Sequence, residues 1–157
     1  MGNTRRDFIK KTALSTTAMA SVGPNIMIGK NILGANDRIN CAIAGVRSRG
    51  KAHAASINSQ DNAKILFSCD VDDKIIEEHN KWSKKNIGYI AKIEKDYRKL
   101  VENKDIDVIF IATPEHWHTP MTIMALQNGK HVYVEKPCSH NPHENELLVA
   151  AQNKYGL

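Results

Sequence analysis

A glycine-containing turn, Gly45-Val46-Arg47-Ser48-Arg49-Gly50, is the first segment whose residues suggest chemistry. It follows a short apolar run and precedes a helical pattern, which is where a dinucleotide-binding fingerprint lies. In that fingerprint, glycines at the first, third and sixth places let backbone amides approach a pyrophosphate. Gly45 and Gly50 fit, whereas Arg47 stands at the middle place. The turn predicts phosphate binding by helix-terminal amides, with the Arg47 side chain either on the phosphate or in solvent.

Asp70 lies 20 residues after Gly50 and closes the second apolar run. A carboxylate at that place can accept hydrogen bonds from the hydroxyls of an adenosine ribose. It would also repel a 2′-phosphate, and Val71, Asp72 and Asp73 supply no basic side chain to hold one. The pattern therefore favours NAD over NADP. The alternative for Asp70 is a helix N-cap, a role that Asp72 or Asp73 fits better.

A polar segment, Thr113-Pro114-Glu115-His116-Trp117-His118, follows the most apolar run of the chain. Two histidines and a glutamate so close together are compatible with a metal site. No further cluster stands at a known zinc spacing, however, because the next pair of histidines lies on a different loop. We therefore predict no metal here, and a loop that lines a ligand site with Trp117 and His118 beside the ligand.

A second polar segment, Glu135-Lys136-Pro137, follows the apolar run 132–134. A lysine at this place would stand at the mouth of a sheet, and the proline after it restricts its backbone to extended or turn conformations. A lysine aimed in this way suits acid–base catalysis. The alternative is a surface lysine in an ordinary turn.

Apolar runs and helical patterns alternate through the rest of the chain. The predicted strands cover residues 39–44, 65–69, 89–91 (weakly), 108–112 and 131–134, and the predicted helices cover 49–58, 73–85, 96–101, 121–127 and 144–154. Continuous apolar strands that alternate with helices indicate an α/β fold with a doubly wound parallel sheet covered on both faces. The polar segments all follow predicted strands, and ligands bind at the carboxyl ends of the strands in such sheets.

Residues 1–35 predict an export signal. Arg5 and Arg6 are followed by Phe8 and an aliphatic residue, and then by a weakly apolar stretch rich in Ala, Ser, Thr and Gly. This layout resembles a bacterial twin-arginine signal and predicts a periplasmic or otherwise exported protein. The alternative, an amphipathic helix, is disfavoured because the segment lacks a helical period and contains Gly23-Pro24. The folded domain is then predicted to cover residues 36–157.

Composition and charge exclude several classes of protein. The 157 residues are 41% hydrophobic and 25% charged, which is ordinary for a globular domain and excludes disordered, collagenous and polytopic membrane proteins. Of the formal charge of +5, four units fall on residues 1–35, so the remainder is nearly neutral and shows no basic stripe for nucleic acid. Three cysteines cannot form a disulfide framework, and Cys41 and Cys69 lie in predicted strands as core residues.

Taken in this order, the motifs resemble the Gfo/Idh/MocA (glucose–fructose oxidoreductase/inositol dehydrogenase) family over about residues 39–157. The most specific matches are 105–114 and 129–137, the latter ending in a Glu-Lys-Pro signature. Many bacterial members also carry twin-arginine leaders. The resemblance implies a Rossmann-type domain that binds NAD(P), followed by an α+β substrate domain. This chain would then be the N-terminal part of a longer, homo-oligomeric enzyme and inactive by itself.

The resemblance also implies roles for individual residues. The turn from Gly45 to Gly50 would hold the pyrophosphate and Asp70 the adenosine ribose. Lys136 would bind at the cofactor and contact the substrate hydroxyl that loses its proton as hydride moves to the nicotinamide. The nicotinamide side would be lined by Thr113, Pro114 and His118, with Glu135 also near the cofactor. Arg47 and Glu115 depart from the family pattern.

The function predicted is an exported oxidoreductase that transfers a hydride between NAD and a hydroxyl of a sugar or polyol, with the nucleotide retained. The partners expected are that small molecule and the twin-arginine export machinery, without nucleic acid. One alternative is a glycoside-cleaving relative that uses bound NAD, although that branch generally lacks the lysine of Glu135-Lys136-Pro137. The other is a non-catalytic sugar- or nucleotide-binding module, which the departure at Arg47 favours.

Overall fold

The computed structural model describes residues 38–157, so the predicted export signal lies outside the described residues. The described strands are β1 (Ile39–Ala44), β2 (Ala63–Cys69), β3 (Lys92–Glu94), β4 (Val108–Ile111) and β5 (His131–Val134). The described helices are α1 (Ser48–Asn58), α2 (Asp73–Asn86), α3 (Tyr97–Glu102), α4 (His118–Gln127) and α5 (Pro142–Tyr155), with a 3₁₀ turn at Glu115–Trp117.

The five strands form one parallel sheet in the order β3-β2-β1-β4-β5. The chain builds outward from β1 to β3 on one side, then crosses back and adds β4 and β5 on the other. This arrangement confirms the predicted doubly wound α/β fold. It also opens a crevice at the carboxyl ends of β1 and β4, where the direction of winding reverses.

The core lies on both faces of the sheet, because successive residues of a buried strand point to opposite sides. On one face, Ile109 and Ile111 of β4 pack with Leu100 of α3. On the other, Ile43 of β1 packs with Ala54 of α1. The three isoleucines have no more than 1% of their surface exposed, and burying such a side chain stabilises a fold by about 1.5–3 kcal/mol.

The third strand is displaced from its predicted position. The prediction of a strand at 89–91 is wrong, because the residues that pair with β2 are Lys92, Ile93 and Glu94. Tyr89 packs against the core beside β2, and its hydroxyl accepts a hydrogen bond from the backbone N–H of Ile65 at 3.1 Å. The apolar character of this segment thus reflects side-chain packing rather than strand pairing.

The other elements match their predicted positions within a few residues. The largest difference is α4, which begins at His118 instead of residue 121, so that part of the predicted loop is helical. No helix within residues 38–157 combines the length and the apolar character needed to cross a bilayer.

His79 of α2 is buried against β2, with 2% of its surface exposed. Its Nε2 atom lies 3.1 Å from the Ser68 hydroxyl and 3.2 Å from the Ser83 hydroxyl. Burial lowers the pKa of His79 below its ordinary value of 6.5, and the charge of Lys51 adds to this effect. The folded state therefore favours the neutral ring.

We expect this histidine to make the fold sensitive to acid. As the pH falls below about 6.5, the unfolded chain binds a proton at His79 while the folded chain resists it, so stability is lost. The loss attributable to this residue cannot exceed about 1.4 kcal/mol per pH unit. Urea unfolding of wild type and His79→Gln at pH 7.5 and 5.5 measures it, and the stability advantage of the wild type should shrink at the lower pH. A constant difference between the two proteins would contradict this expectation.

Candidate functional site

A cleft of about 910 Å³ opens at the carboxyl edge of the sheet, at the crevice between β1 and β4. Its volume lies within the roughly 300–1,000 Å³ usual for ligand sites. Five of the predicted site residues line it: Gly45, Arg47, Asp70, Thr113 and Pro114. The fold thus brings together segments that are up to about seventy positions apart in the sequence.

The turn after β1 fits this crevice because it has no side chain at two places. A Cβ atom on Gly45 would lie 2.5 Å from the carbonyl oxygen of Ala112, and the φ of Gly45 is +85°. A Cβ atom on Gly50 would lie 2.0 Å from the carbonyl oxygen of Gly45. Contacts this short leave no room for a methyl group. Gly45 therefore sets the tight turn and Gly50 the close packing of α1 on it.

Helix α1 begins at this turn without a side-chain cap and without an acidic residue in its first turn. Helices α2 and α5, by contrast, are capped by Asp72 and Asn141, whose side chains accept backbone N–H bonds. An uncapped helix N-terminus carries free N–H groups and a partial positive charge. The start of α1 is therefore suited to bind an anion such as a pyrophosphate.

Asp70 lies at the end of β2, on the far side of the cleft from β4. Its carboxylate accepts hydrogen bonds from the backbone N–H of Val46 at 3.1 Å and of Asp72 at 3.2 Å. The predicted N-cap role falls to Asp72, as expected, which accepts bonds from Lys74 and Ile75. These bonds orient the Asp70 carboxylate. Because Asp70 lies on the cleft, its carboxylate can also accept hydrogen bonds from the hydroxyls of a ribose.

His118 does not line the cleft, although the preceding residues Thr113, Pro114 and Trp117 do. Its ring is 2% exposed, with Nδ1 2.6 Å from the carbonyl oxygen of Pro137 and Nε2 2.8 Å from that of Thr113. It is thus enclosed by backbone, whereas Trp117 lies on the cleft and is 53% exposed. The ring of His118 ties the loop after β4 to the loop after β5.

Glu135 and Lys136 follow β5, and their side chains differ in exposure. Glu135 is buried, with 6% of its surface exposed, and accepts a hydrogen bond from Arg49 Nε at 3.0 Å and a second from its Nη2 atom. These bonds lower the pKa of the Glu135 carboxyl below its ordinary value. Lys136 is exposed, and its backbone N–H donates to Glu135 Oε2 at 3.2 Å. The bond from Lys136 to Pro137 is cis.

Within residues 38–157 there is no group of three or more His, Cys, Asp or Glu side chains placed to hold a metal ion. Two of the three thiols belong to the core. Burial raises the pKa of Cys41 to about 11 and that of Cys69 to about 12, so both are protonated at neutral pH. Cys138 is exposed.

A family model described as an oxidoreductase family with an NAD-binding Rossmann fold, Gfo/Idh/MocA, matches residues 39–157. The chain belongs to the Gfo/Idh/MocA family. The match covers every described element, from the first residue of β1 to the end of the chain. The chain is therefore an NAD-binding domain of an oxidoreductase family.

Curated and solved relatives agree with this assignment. Glycosyl hydrolase family 109 protein 1 of Shewanella sp. (strain ANA-3) is 28% identical over 92% of this chain and 36% of its own length. The structure of myo-inositol 2-dehydrogenase from Lactobacillus plantarum superposes with a TM-score of 0.65 at 27% identity, covering 75% of this chain and 34% of that one. Scyllo-inositol dehydrogenase from Lactobacillus casei, with bound NAD(H) and scyllo-inositol, gives a TM-score of 0.65 at 28% identity over 76% and 34% of the two chains. The chain spans about a third of the length of these relatives.

The residues of this Gfo/Idh/MocA domain fit the nucleotide that the family binds. The turn at Gly45 has the close backbone approach that a side chain would fill, α1 presents uncapped amides, and Asp70 lies on the same cleft. Among the cleft residues, Tyr97 of α3 and the 82% exposed Val71 were not predicted. Val71 could have been found from its place directly after Asp70, whereas Tyr97 reaches the cleft only through the pairing of β3 beside β2.

We expect the enclosed ring of His118 to matter for stability. His118→Phe keeps an aromatic ring but removes both ring nitrogens, so the carbonyl group that accepts the ring N–H loses its donor, which should cost about 1–3 kcal/mol. His116→Phe is the matched control, because His116 is exposed and two residues away, and it should change stability by no more than about 0.5 kcal/mol. Urea unfolding checks both, and equal effects would contradict the assignment.

Proposed function

We propose that this chain is the NAD-binding part of an exported oxidoreductase that transfers a hydride between NAD and a hydroxyl group of a sugar or polyol. The observation that carries the proposal is the arrangement along one sheet edge of a phosphate-type turn, a ribose-type carboxylate and an exposed lysine. They follow β1, β2 and β5 respectively, so they face the same end of the sheet. The proposed binding and acid–base groups therefore lie along the same edge of the sheet.

The support for NAD over NADP comes from charge. Asp70 and Asp72 line the cleft directly after β2, where a 2′-phosphate would meet their carboxylates. The basic residues of the same lining, Lys95, Arg98 and Lys99, follow β3, and the first two are paired with Asp73 and Asp96. A ribose hydroxyl, by contrast, would donate a hydrogen bond to Asp70. The similar scyllo-inositol dehydrogenase was crystallised with NAD(H), which agrees with this choice.

In the proposed chemistry, Lys136 accepts the proton. Bound NAD supplies the hydride acceptor at its nicotinamide ring. The Lys136 amine takes the proton from the substrate hydroxyl, and its exposure leaves it free to meet a substrate that enters from solvent. The backbone around Lys136 is held on both sides, by the Glu135 carboxylate at its N–H and by His118 at the carbonyl of Pro137.

The relatives support the proposed class of substrate. The inositol dehydrogenases act on a cyclic polyol, and the Shewanella proteins carry the name of a glycosyl hydrolase family. The substrates indicated by both names contain polyhydroxylated rings. The second candidate function is therefore cleavage of a glycoside with bound NAD, which the Shewanella relatives favour.

Export and assembly complete the proposal. The twin-arginine machinery is the expected partner of residues 1–35, and a nucleotide loaded before export would be retained and regenerated within the cycle. The substrate pocket and the contacts of a homo-oligomer are assigned to the parts of the longer relatives that this chain does not match. The chain alone would bind NAD without turning over a substrate.

The NAD assignment predicts the effect of Asp70→Asn. Loss of the charge should weaken NAD⁺ binding to the chain about tenfold, because hydrogen bonds to charged groups contribute about 1.5–3 kcal/mol. It should also reduce the difference between the affinities for NAD⁺ and NADP⁺. Glu77→Gln is the matched control, since Glu77 is exposed and pairs with Lys81, neither residue lines the cleft, and the substitution should stay within about twofold of wild type. Calorimetric titration of the three proteins with NAD⁺ and NADP⁺ measures the six affinities, and a wild-type chain that prefers NADP⁺ would refute the assignment.

The role of Lys136 predicts a loss of turnover in the longer enzyme. Lys136→Ala should lower kcat by about 10²–10⁴-fold, the usual contribution of a positioned acid–base group. Bound nucleotide, identified by mass spectrometry after denaturation, should remain near the wild-type amount. A panel of sugars, polyols and glycosides separates net oxidation from glycoside cleavage. Unchanged turnover would remove Lys136 from the mechanism.

A further inference from the structure

Two arginines lie near the start of α1: Arg47 directly before the helix and Arg49 in its first turn. Their side chains have different surroundings. Arg47 lines the cleft. Arg49 bonds instead to the buried carboxylate of Glu135, 86 residues further along the chain. The sequence predicts both as cofactor-binding residues, but the geometry separates them.

The carboxylate of Glu135 is enclosed by three groups. Arg49 reaches Oε1 with two of its N–H groups, and Nε2 of His53 lies 3.0 Å from the same oxygen, although its N–H is not aligned for a hydrogen bond. The His53 ring also packs edge-on against Tyr133 at 5.2 Å between ring centres. The second oxygen, Oε2, accepts the backbone N–H of Lys136. Helix α1 therefore holds Glu135, and Glu135 holds the backbone of Lys136.

This contact joins the two halves of the proposed nucleotide site. Three strand spacings separate β2, which ends at Asp70, from β5, which ends at Glu135, or roughly 14 Å at about 4.8 Å per spacing. A dinucleotide whose ribose is at Asp70 and whose pyrophosphate is at the start of α1 places its other half toward β4 and β5. The Arg49–Glu135 pair links the start of α1 to the end of β5.

We propose that Arg49 is a positioning residue, which acts through Glu135 to fix the Glu135–Lys136 segment relative to the helix that binds the pyrophosphate. The inference rests on the proposed function, since it concerns the nicotinamide half of the same site. It assigns Arg49 a role other than that of a phosphate ligand. Arg49 keeps 60% of its side chain exposed while its guanidinium holds a carboxylate that is only 7% exposed. Without it, a buried charge loses its partner, and the segment that carries Lys136 loses its anchor.

The test compares two ligands that share the adenosine and pyrophosphate but differ in the nicotinamide. Calorimetry on the full chain measures NAD⁺ and ADP-ribose with wild type, Arg49→Met and the matched control Arg47→Met. Arg49→Met should weaken NAD⁺ about tenfold, or 1.4 kcal/mol, and leave ADP-ribose within about twofold. Arg47→Met removes the same charge from the same turn, and it should weaken both ligands by a similar factor.

A second set of variants separates positioning from loss of structure. Glu135→Gln should reproduce the selective loss of NAD⁺ affinity. The double variant Arg49→Met/Glu135→Gln should bind NAD⁺ no more weakly than the worse single variant, because residues that act as one unit are not additive. Arg49→Lys keeps the charge and should recover part of the loss. Thermal unfolding of each variant provides the control for folding.

Three kinds of outcome would overturn the inference. Equal weakening of NAD⁺ and ADP-ribose by Arg49→Met would make Arg49 a phosphate ligand. Unchanged affinity for both ligands, or additive effects of the two substitutions, would show that the pair does not act on the nicotinamide half. A wild-type chain that binds neither ligand would refute the proposed function as well, and this result differs from the first two because the reference protein itself fails.

Discussion

The backbone contact between the Gly45 turn and Ala112 is the constraint on which the rest of the site depends. A Cβ atom there would lie 2.5 Å from a carbonyl oxygen, so β1 can end beside β4 in this way only with glycine. That contact sets where α1 begins, and it places the N–H of Val46 on the Asp70 carboxylate. The crevice, the uncapped helix and the oriented carboxylate all follow from one position without a side chain.

Charge is distributed unevenly along the site. The end at β2 carries Asp70 and Asp72, while the start of α1 carries a partial positive charge and Arg47. At the β5 end, Arg49 and Glu135 neutralise each other, so the exposed Lys136 is the cation that remains in that segment. Such a distribution separates the proposed phosphate-binding turn from Lys136, the proposed acid–base residue.

Most of the fold and the members of the site could be predicted from the sequence, but their contacts could not. Apolar residues located β1 and β4, which are largely buried, and β5, whose two valines are half-buried. They misplaced β3 because Tyr89 serves side-chain packing rather than strand pairing. Spacing likewise selected Asp70, which lines the cleft. The enclosure of His118 and the bond from Arg49 to Glu135 depend on side chains that meet only after the sheet has formed. A pattern of residue types carries no information about such pairings.

Arg47, which stands at the middle glycine place of the fingerprint, is compatible with the turn because of its backbone conformation. A glycine is required where φ is positive or where a Cβ would collide, and Arg47 meets neither condition. Its φ is −74°, which every L-residue can adopt. Its carbonyl oxygen accepts the N–H of Lys51 at 2.9 Å, so the first turn of α1 forms normally. Arg47 is therefore compatible with the backbone geometry of the turn, and it adds to the cleft a cation that is suited to a phosphate.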